Sequence, residues 1–181
     1  MSNSFDWSWS KGHVNPDDFW HPSMIRALDY VREEFNDGPQ ERHWRAQGHQ
    51  PRTGGLFDMR NPNQPSTTAA LAAWAERRGL EHIGVSYYKM GPGDNLPYHG
   101  DIYRKYIEIF DLEDRKHDII RYIFFVENKK PGHIFEIDGR LIDWQAGDYV
   151  GWRYDAPHMA ANLGIEDRFT IQVTGVIRAD Q

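Results

Sequence analysis

The spacing of apolar residues along the chain changes near residue 80. Pro22–Asn36 and Ser66–Arg78 carry apolar side chains at intervals of three and four, which is the spacing of one face of a helix. Asp37-Gly38-Pro39 should end the first helix, and Ser66 should cap the second, which Gly79 ends. The first eighty residues therefore predict two helices.

Gln40–Pro65, between the two predicted helices, is rich in Gly, Pro, Arg, Asn and Gln and keeps no period. Segments of this length without secondary structure are uncommon in a compact domain, and they often cover or shape a functional site. We therefore expect a long loop here, and we expect it to determine substrate specificity together with Tyr103–Asp118.

From residue 81 onward the period shortens to two, as in β-strands. Asp138-Gly139 separates two such runs and suits the positive φ angles of a type I′ hairpin turn. Short strands joined by turn residues are typical of a sandwich or jelly roll, so the pattern predicts a mostly β fold with flanking helices. The predicted strands are Ile83–Met90, Ile119–Glu127, Ile134–Ile137, Arg140–Trp144, Tyr149–Tyr154 and Arg168–Ile177.

Composition narrows the classes of function. The chain has 181 residues, with 21 Lys or Arg, 27 Asp or Glu and a formal net charge of −6. This length predicts a single domain, 1–181, and the acidic balance argues against nucleic acid as a partner because phosphate contacts require basic residues. No apolar run reaches the length of a membrane span and no signal-peptide pattern opens the chain, so we expect a cytoplasmic protein without membrane association.

The histidines offer the candidate chemistry, because a chain without cysteine must build a transition-metal site from histidine and carboxylate. In an extended segment His99 and Asp101 project to the same side, although such a short pattern also fits a solvated loop. His158 follows a later strand that intervening hairpins could return beside them. Two histidines and one carboxylate form the facial set that holds non-haem Fe(II) with open positions, and zinc accepts the same ligands.

Arg168 and Thr170 belong to a strand in which polar and apolar residues alternate. One interpretation is a half-exposed strand with its polar face in water. The other places both side chains inside a barrel, where the guanidinium would need an anion and a carboxylate would match its planar fork. Thr170 would then add a hydroxyl donor to that carboxylate.

In this order and spacing, His99-x-Asp101, His158 and Arg168-x-Thr170 resemble the motif of the iron(II)/2-oxoglutarate-dependent oxygenases, including the small phage-type and prolyl-hydroxylase-like members. The resemblance extends over just over half of the chain. It implies a double-stranded β-helix (a jelly roll, cupin-like) as the core at 81–178, with 1–80 as a helical and loop region packed on it. It also implies that His99, Asp101 and His158 bind Fe(II).

The same resemblance assigns the co-substrate site. Arg168, helped by Thr170, would hold the distal carboxylate of 2-oxoglutarate, and a tyrosine on the first core strand would also touch it. Tyr88 is the best match for that tyrosine, with Tyr87 as the second choice. The implied activity consumes 2-oxoglutarate and O₂, releases succinate and CO₂, and hydroxylates a C–H bond of a small molecule or peptide. Asp101 favours hydroxylation, since family members with Ala or Gly there tend to be halogenases.

Two alternatives stay open at this point. Gly147-Asp148 followed by Pro157-His158 and Asn162 also resembles the second motif of the cupins, which share the jelly-roll barrel and include metalloenzymes with other reactions. The first cupin motif, however, would need a histidine where Asp101 stands. The other alternative is a non-catalytic jelly-roll binding module, in which the histidines and Arg168 are incidental.

Overall fold

The computed structural model describes residues 9–32, 38–57 and 64–179. The helices in these ranges are α1 (Pro22–Arg26), α2 (Gly38–Ala46), α3 (Ser66–Glu76) and α4 (Arg104–Phe110), with two 3₁₀ segments at Pro16–Asp18 and Glu113–Asp118. The strands are β1 (Trp9–His13), β2 (Tyr30–Arg32), β3 (Gly55–Phe57), β4 (Leu80–Met90), β5 (Asn95–His99), β6 (Ile119–Phe125), β7 (His133–Ile137), β8 (Arg140–Leu141), β9 (Asp148–Arg153), β10 (His158–Asn162) and β11 (Arg168–Ile177). None of the described helices is long and apolar enough to cross a membrane.

Two antiparallel sheets make up the β structure. The larger has seven strands in the order β1-β9-β6-β11-β4-β3-β2, and the smaller has four in the order β5-β10-β7-β8. Strands distant in the chain are neighbours in each sheet, which is the crossover pattern of a jelly roll. The predicted fold class, mostly β with flanking helices around a double-stranded β-helix, is confirmed.

One face of the larger sheet is covered by helices. Ile25 of α1 and Leu71 and Trp74 of α3 pack against strand residues that include Tyr87 and Ile171. Burial of each such side chain stabilises the fold by about 1.5–3 kcal/mol, so this layer anchors the N-terminal helices to the sheet.

The opposite face of the larger sheet packs on the smaller sheet. Tyr88, Ile123 and Trp152 from the larger sheet meet Phe135 and Ala160 from the smaller one. Successive residues of a strand point to opposite faces, so Tyr87 and Tyr88 fall on different sides of the sheet. The space between the two sheets is where the candidate site lies.

β11 resolves the two interpretations of its alternating pattern. Phe169, Ile171 and Val173 belong to the core beneath the helices. Arg168 and Thr170 point the other way, toward the smaller sheet, and are only 4% and 1% exposed. The polar face of this strand therefore lies inside the molecule.

The prediction for the first helix was wrong. α1 ends at Arg26, and Tyr30–Arg32 forms β2 because it pairs with Gly55–Phe57 of β3. Sheet pairing overrode the helical spacing, and residues 33–36 of the predicted helix lie outside the described ranges. Gly38-Pro39 begins α2 instead of ending a helix, since a proline is tolerated in the first helical turn.

Two further expectations for the N-terminal region need correction. Gln40–Pro65 is not a continuous loop, since it contains most of α2 and all of β3. Ser66 is the first residue of α3, and the cap position is Pro65, whose side chain makes no capping hydrogen bond.

The C-terminal half follows the sequence more closely. β11 spans Arg168–Ile177 as predicted, and the hairpin turn at Asp138 and Gly139 has the predicted positive φ angles, +49° and +73°. The second hairpin strand is shorter than predicted and ends at Leu141. The strands β5 and β10 and the helix α4 were not predicted. β5 and β10 carry the candidate histidines.

Candidate active site

β5 and β10 bring the two candidate histidines together. His99 ends β5, His158 begins β10, and the two residues are direct partners across the antiparallel pair. Their ring centroids are 4.5 Å apart. Asp101 follows two residues after His99, and one ligand atom from each of the three side chains lies within 4.8 Å of the others. His99 and Asp101 thus converge with the distant His158 on a space that one metal ion could fill.

Backbone carbonyls orient both imidazoles. His99 Nδ1 lies 2.7 Å from the carbonyl oxygen of Pro97, and His158 Nδ1 lies 3.0 Å from that of Ala156. A carbonyl oxygen can only accept, so each Nδ1 carries the proton and each Nε2 has the lone pair that a metal ion could bind. Burial lowers the pKa of His158 to about 4, which keeps this imidazole neutral at pH 7.

The carboxylate of Asp101 is buried beside a positive charge. Arg121 Nη1 donates to Asp101 Oδ1 at 3.2 Å and lies 3.1 Å from Oδ2, and the Tyr103 hydroxyl donates to Oδ2 at 2.9 Å. Burial alone would raise the pKa of Asp101, but the guanidinium and the neighbouring imidazoles outweigh it and lower the pKa to about 2. Asp101 is therefore ionised at neutral pH and offers carboxylate oxygens that a metal ion could bind.

Arg168 is a buried cation that forms no ion pair with a carboxylate of the described residues. Its Nη1 donates to the carbonyl oxygen of Ile134 at 2.6 Å, whereas its Nε and the nearby Thr170 Oγ1 are buried with no hydrogen-bond partner in the described structure. Burial lowers the pKa of Arg168 to about 10, so the side chain still carries its charge at pH 7. An unpaired buried charge is costly, and a carboxylate ligand would satisfy both orphaned groups.

Of the two candidate tyrosines, the structure places Tyr88 beside Arg168 and Thr170. Tyr88 is the cross-strand partner of Thr170, lines the cavity, and accepts a hydrogen bond at its hydroxyl from Gly54 N at 2.9 Å. Tyr87 points to the helical layer, where its hydroxyl lies 2.7 Å from Thr68 Oγ1. Only Tyr88 is positioned to reach a ligand held by Arg168.

A single cavity connects the metal-ligand cluster with Arg168. Its walls also contain Arg121, Trp152 and Gln172, which the sequence interpretation did not place in the site. Of these three, Arg121 lies in β6. The available signal was its alternation with Ile123 and Phe125, which places the three side chains on the same face of β6.

Helix α2 closes one side of the site. The Trp44 ring, 2% exposed, meets the His99 imidazole edge-on at 5.6 Å between centroids. Trp44 Nε1 also donates to the carbonyl oxygen of Tyr98 at 3.4 Å. Part of Gln40–Pro65, which was expected to be a loop, is thus a helix that packs against His99, a candidate metal ligand.

Replacing Trp44 with alanine should destabilise the protein by about 3–5 kcal/mol, the usual cost of truncating a buried tryptophan. Urea unfolding of the wild type and the variant measures this change. Trp44→Phe is the matched control, because it keeps an aromatic ring against His99 and should cost much less. Equal stability of Trp44→Ala and the wild type would show that α2 does not pack as described.

Comparison with known proteins points to one fold. No protein-family model matches the sequence, and no curated protein matches it. A viral collagen prolyl hydroxylase from Paramecium bursaria Chlorella virus-1, in its 2-oxoglutarate (2OG) complex, is 9% identical with a TM-score of 0.60, over 98% of this chain and 100% of that chain. A Pseudomonas putida prolyl-4-hydroxylase is 19% identical with a TM-score of 0.55, over 95% of this chain and 94% of that chain.

These similarities extend over nearly the whole chain, including the N-terminal region outside the barrel. At such low identity they establish the fold alone, a jelly roll like that of these two hydroxylases. The cluster of His99, Asp101 and His158 is a candidate metal site within that fold.

Proposed function

We propose that this protein is an Fe(II)- and 2-oxoglutarate-dependent dioxygenase that hydroxylates a C–H bond of a small-molecule or peptide substrate. One observation carries the proposal: a largely buried His-Asp-His cluster shares its cavity with a buried guanidinium that has no anionic partner among the described residues. The cluster suits a divalent metal ion. The guanidinium suits the distal carboxylate of a ligand that binds that metal ion with its other end.

The donor set suits Fe(II), which the resemblance to the 2-oxoglutarate oxygenases implies. His99, Asp101 and His158 would hold the ion through two imidazole nitrogens and one carboxylate oxygen, which is the facial arrangement of non-haem Fe(II) oxygenases with open positions. When bound, Fe(II) with 2-oxoglutarate supplies O₂ activation, in which the co-substrate becomes succinate and CO₂ as a substrate C–H bond is oxidised.

The chain's own residues bind and orient the co-substrate. Arg168 would pair with its distal carboxylate, using the Nε that has no partner in the described structure, and Thr170 would donate its hydroxyl to the same group. Tyr88, beside both, would complete the contact. Apolar walls, including Ile123, Phe135 and Trp152, exclude water from the space between this end and the metal ligands.

The cupin alternative receives less support from the geometry. Asp148 of the cupin-like motif pairs with Lys11 and His13, at 3.0 and 2.9 Å, outside the cavity. Asn162 donates to the carbonyl oxygens of Met90 and Glu166, which is a structural role. A binding module in which Arg168 is incidental would leave unexplained the burial of a charge that has no ion-pair partner among the described residues.

Anaerobic titration tests the proposal directly. Adding Fe(II) to the purified protein should give no visible band, and adding 2-oxoglutarate should then produce the weak charge-transfer absorption of a chelated complex. His49→Ala, which removes an exposed histidine, is the matched control and should give the same band. If no band forms at saturating Fe(II) and 2-oxoglutarate, the proposed function is wrong.

A further inference from the structure

The Asp101 carboxylate contacts two side chains, Arg121 and Tyr103, that are not candidate metal ligands. Arg121 Nη1 lies 3.2 Å from Oδ1 and 3.1 Å from Oδ2, and the Tyr103 hydroxyl donates to Oδ2 at 2.9 Å. Oδ2 also lies 3.7 Å from His158 Nε2, so this oxygen faces the other candidate ligands. Both carboxylate oxygens are therefore restrained before any metal binds.

Tyr103 reaches Asp101 through an unusual backbone conformation. Its φ and ψ angles are +45° and +24°, in the left-handed region that a bulky residue rarely adopts. This geometry turns the side chain back over the residue two positions earlier, where the hydroxyl meets the carboxylate. The ring is 8% exposed and lies 5.9 Å from the Tyr154 ring, so surrounding packing keeps it in place. Strain retained at a site is a reason to look for a functional role.

Arg121 is held by a strand of the larger sheet as well as by contact with Tyr103. β6 and β11 pair so that Arg121 and Thr174 are cross-strand partners, and Arg121 Nε donates to Thr174 Oγ1 at 3.3 Å. The guanidinium carbon also lies 4.6 Å from the centre of the Tyr103 ring, within the range of a cation–π contact. A strand of the larger sheet thus fixes the orientation of a carboxylate that lies in a loop.

We propose that Tyr103 and Arg121 are positioning residues that make Asp101 a one-oxygen metal ligand; this inference rests on the proposed function. A carboxylate in a loop can rotate and bind a metal through one oxygen or two. Donors engaging both oxygens resist that rotation, and one-oxygen ligation preserves the three open positions that co-substrate and O₂ require. Neither residue would touch the substrate.

The test measures metal binding alone, without turnover. Mn²⁺ serves as a stand-in for Fe(II), and its dissociation constant is measured by the electron paramagnetic resonance of the free ion. Tyr103→Phe removes one donor without changing charge, and Arg121→Lys keeps the charge but loses the planar fork. Each should weaken Mn²⁺ binding by about tenfold or more, the usual effect of losing an outer-shell partner.

Matched controls lie nearby in the chain. Tyr106→Phe removes a hydroxyl that donates to the carbonyl oxygen of His82, and Arg115→Lys alters a guanidinium that pairs with Glu81. Both controls should bind Mn²⁺ as the wild type does. Thermal unfolding of the metal-free proteins separates a loss of fold stability from a loss of affinity, because a merely structural residue moves only the former.

The outcomes distinguish this inference from the proposed function. If the wild type and Asp101→Ala bind Mn²⁺ equally, Asp101 is not a metal ligand, and both proposals fail. If Asp101→Ala binds more weakly but Tyr103→Phe and Arg121→Lys match the wild type, only the positioning role is overturned. Tyr103→Phe loses a single oxygen atom and keeps the ring, so it should fold even if Arg121→Lys does not.

Discussion

Replacing either His99 or Asp101 with alanine should abolish succinate formation. Each substitution removes one of only three ligand atoms in the cluster, and the two that remain cannot hold the metal in a facial geometry. His99 also packs against the neighbouring imidazole and Trp44, so a second readout is needed to separate loss of metal from loss of packing.

That second readout is metal content after reconstitution with Fe(II) under anaerobic conditions. Both variants should keep the secondary structure of the wild type, measured by circular dichroism, and retain little iron. Asp17→Ala, an exposed carboxylate in the N-terminal region, is a control that should leave activity and iron content unchanged. Full succinate formation by both His99→Ala and Asp101→Ala would end the proposed function.

Replacing Arg168 with alanine should raise the KM for 2-oxoglutarate by roughly 10- to 150-fold. This range corresponds to the loss of one hydrogen bond to a charged group, about 1.5–3 kcal/mol, and further lost contacts would add to it. Arg168→Lys should restore only part of the affinity, because an ammonium cannot make the two parallel bonds of a guanidinium. Steady-state kinetics at varied 2-oxoglutarate concentration measures the effect.

Arg168→Ala should have only a small effect on the thermal stability of the protein without ligand. Arg168 donates to the carbonyl oxygen of Ile134, and no carboxylate among the described residues compensates its charge. Its removal should therefore cost little thermal stability, while the stabilisation that 2-oxoglutarate gives to the wild type should disappear. Arg140→Ala, at the exposed hairpin, is the control. An unchanged KM for 2-oxoglutarate in Arg168→Ala would remove Arg168 from the co-substrate site.

The parts of the fold that were predictable share a physical origin. β11 alternates strictly because one face packs under the helices and the other lines the cavity, so its limits are evident in the sequence. The predicted turn at Asp138-Gly139 reflects local φ preferences that need no tertiary contact. The prediction of one long first helix failed because Tyr30–Arg32 is a strand only through its pairing with Gly55–Phe57.

The candidate site likewise contains residues that the sequence predicted and a residue that it did not. His99, Asp101 and His158 were identified by residue type and spacing, and the structure brings them together through the pairing of β5 and β10. Arg121 was missed because its role depends on a carboxylate twenty residues earlier, across a helix and a 3₁₀ segment. No local pattern in the sequence predicts a contact of this kind.

The sequence by itself determined which chemical groups the protein has and which strand faces are polar, since residue type and alternation are properties of the chain. Tertiary structure alone decided that the polar face of β11 is buried, that Tyr88 rather than Tyr87 lies beside Arg168, and that Arg121 and Tyr103 restrain Asp101. The reason is that burial and partner choice depend on how the two sheets pack, and that packing is set by contacts between residues far apart in the chain.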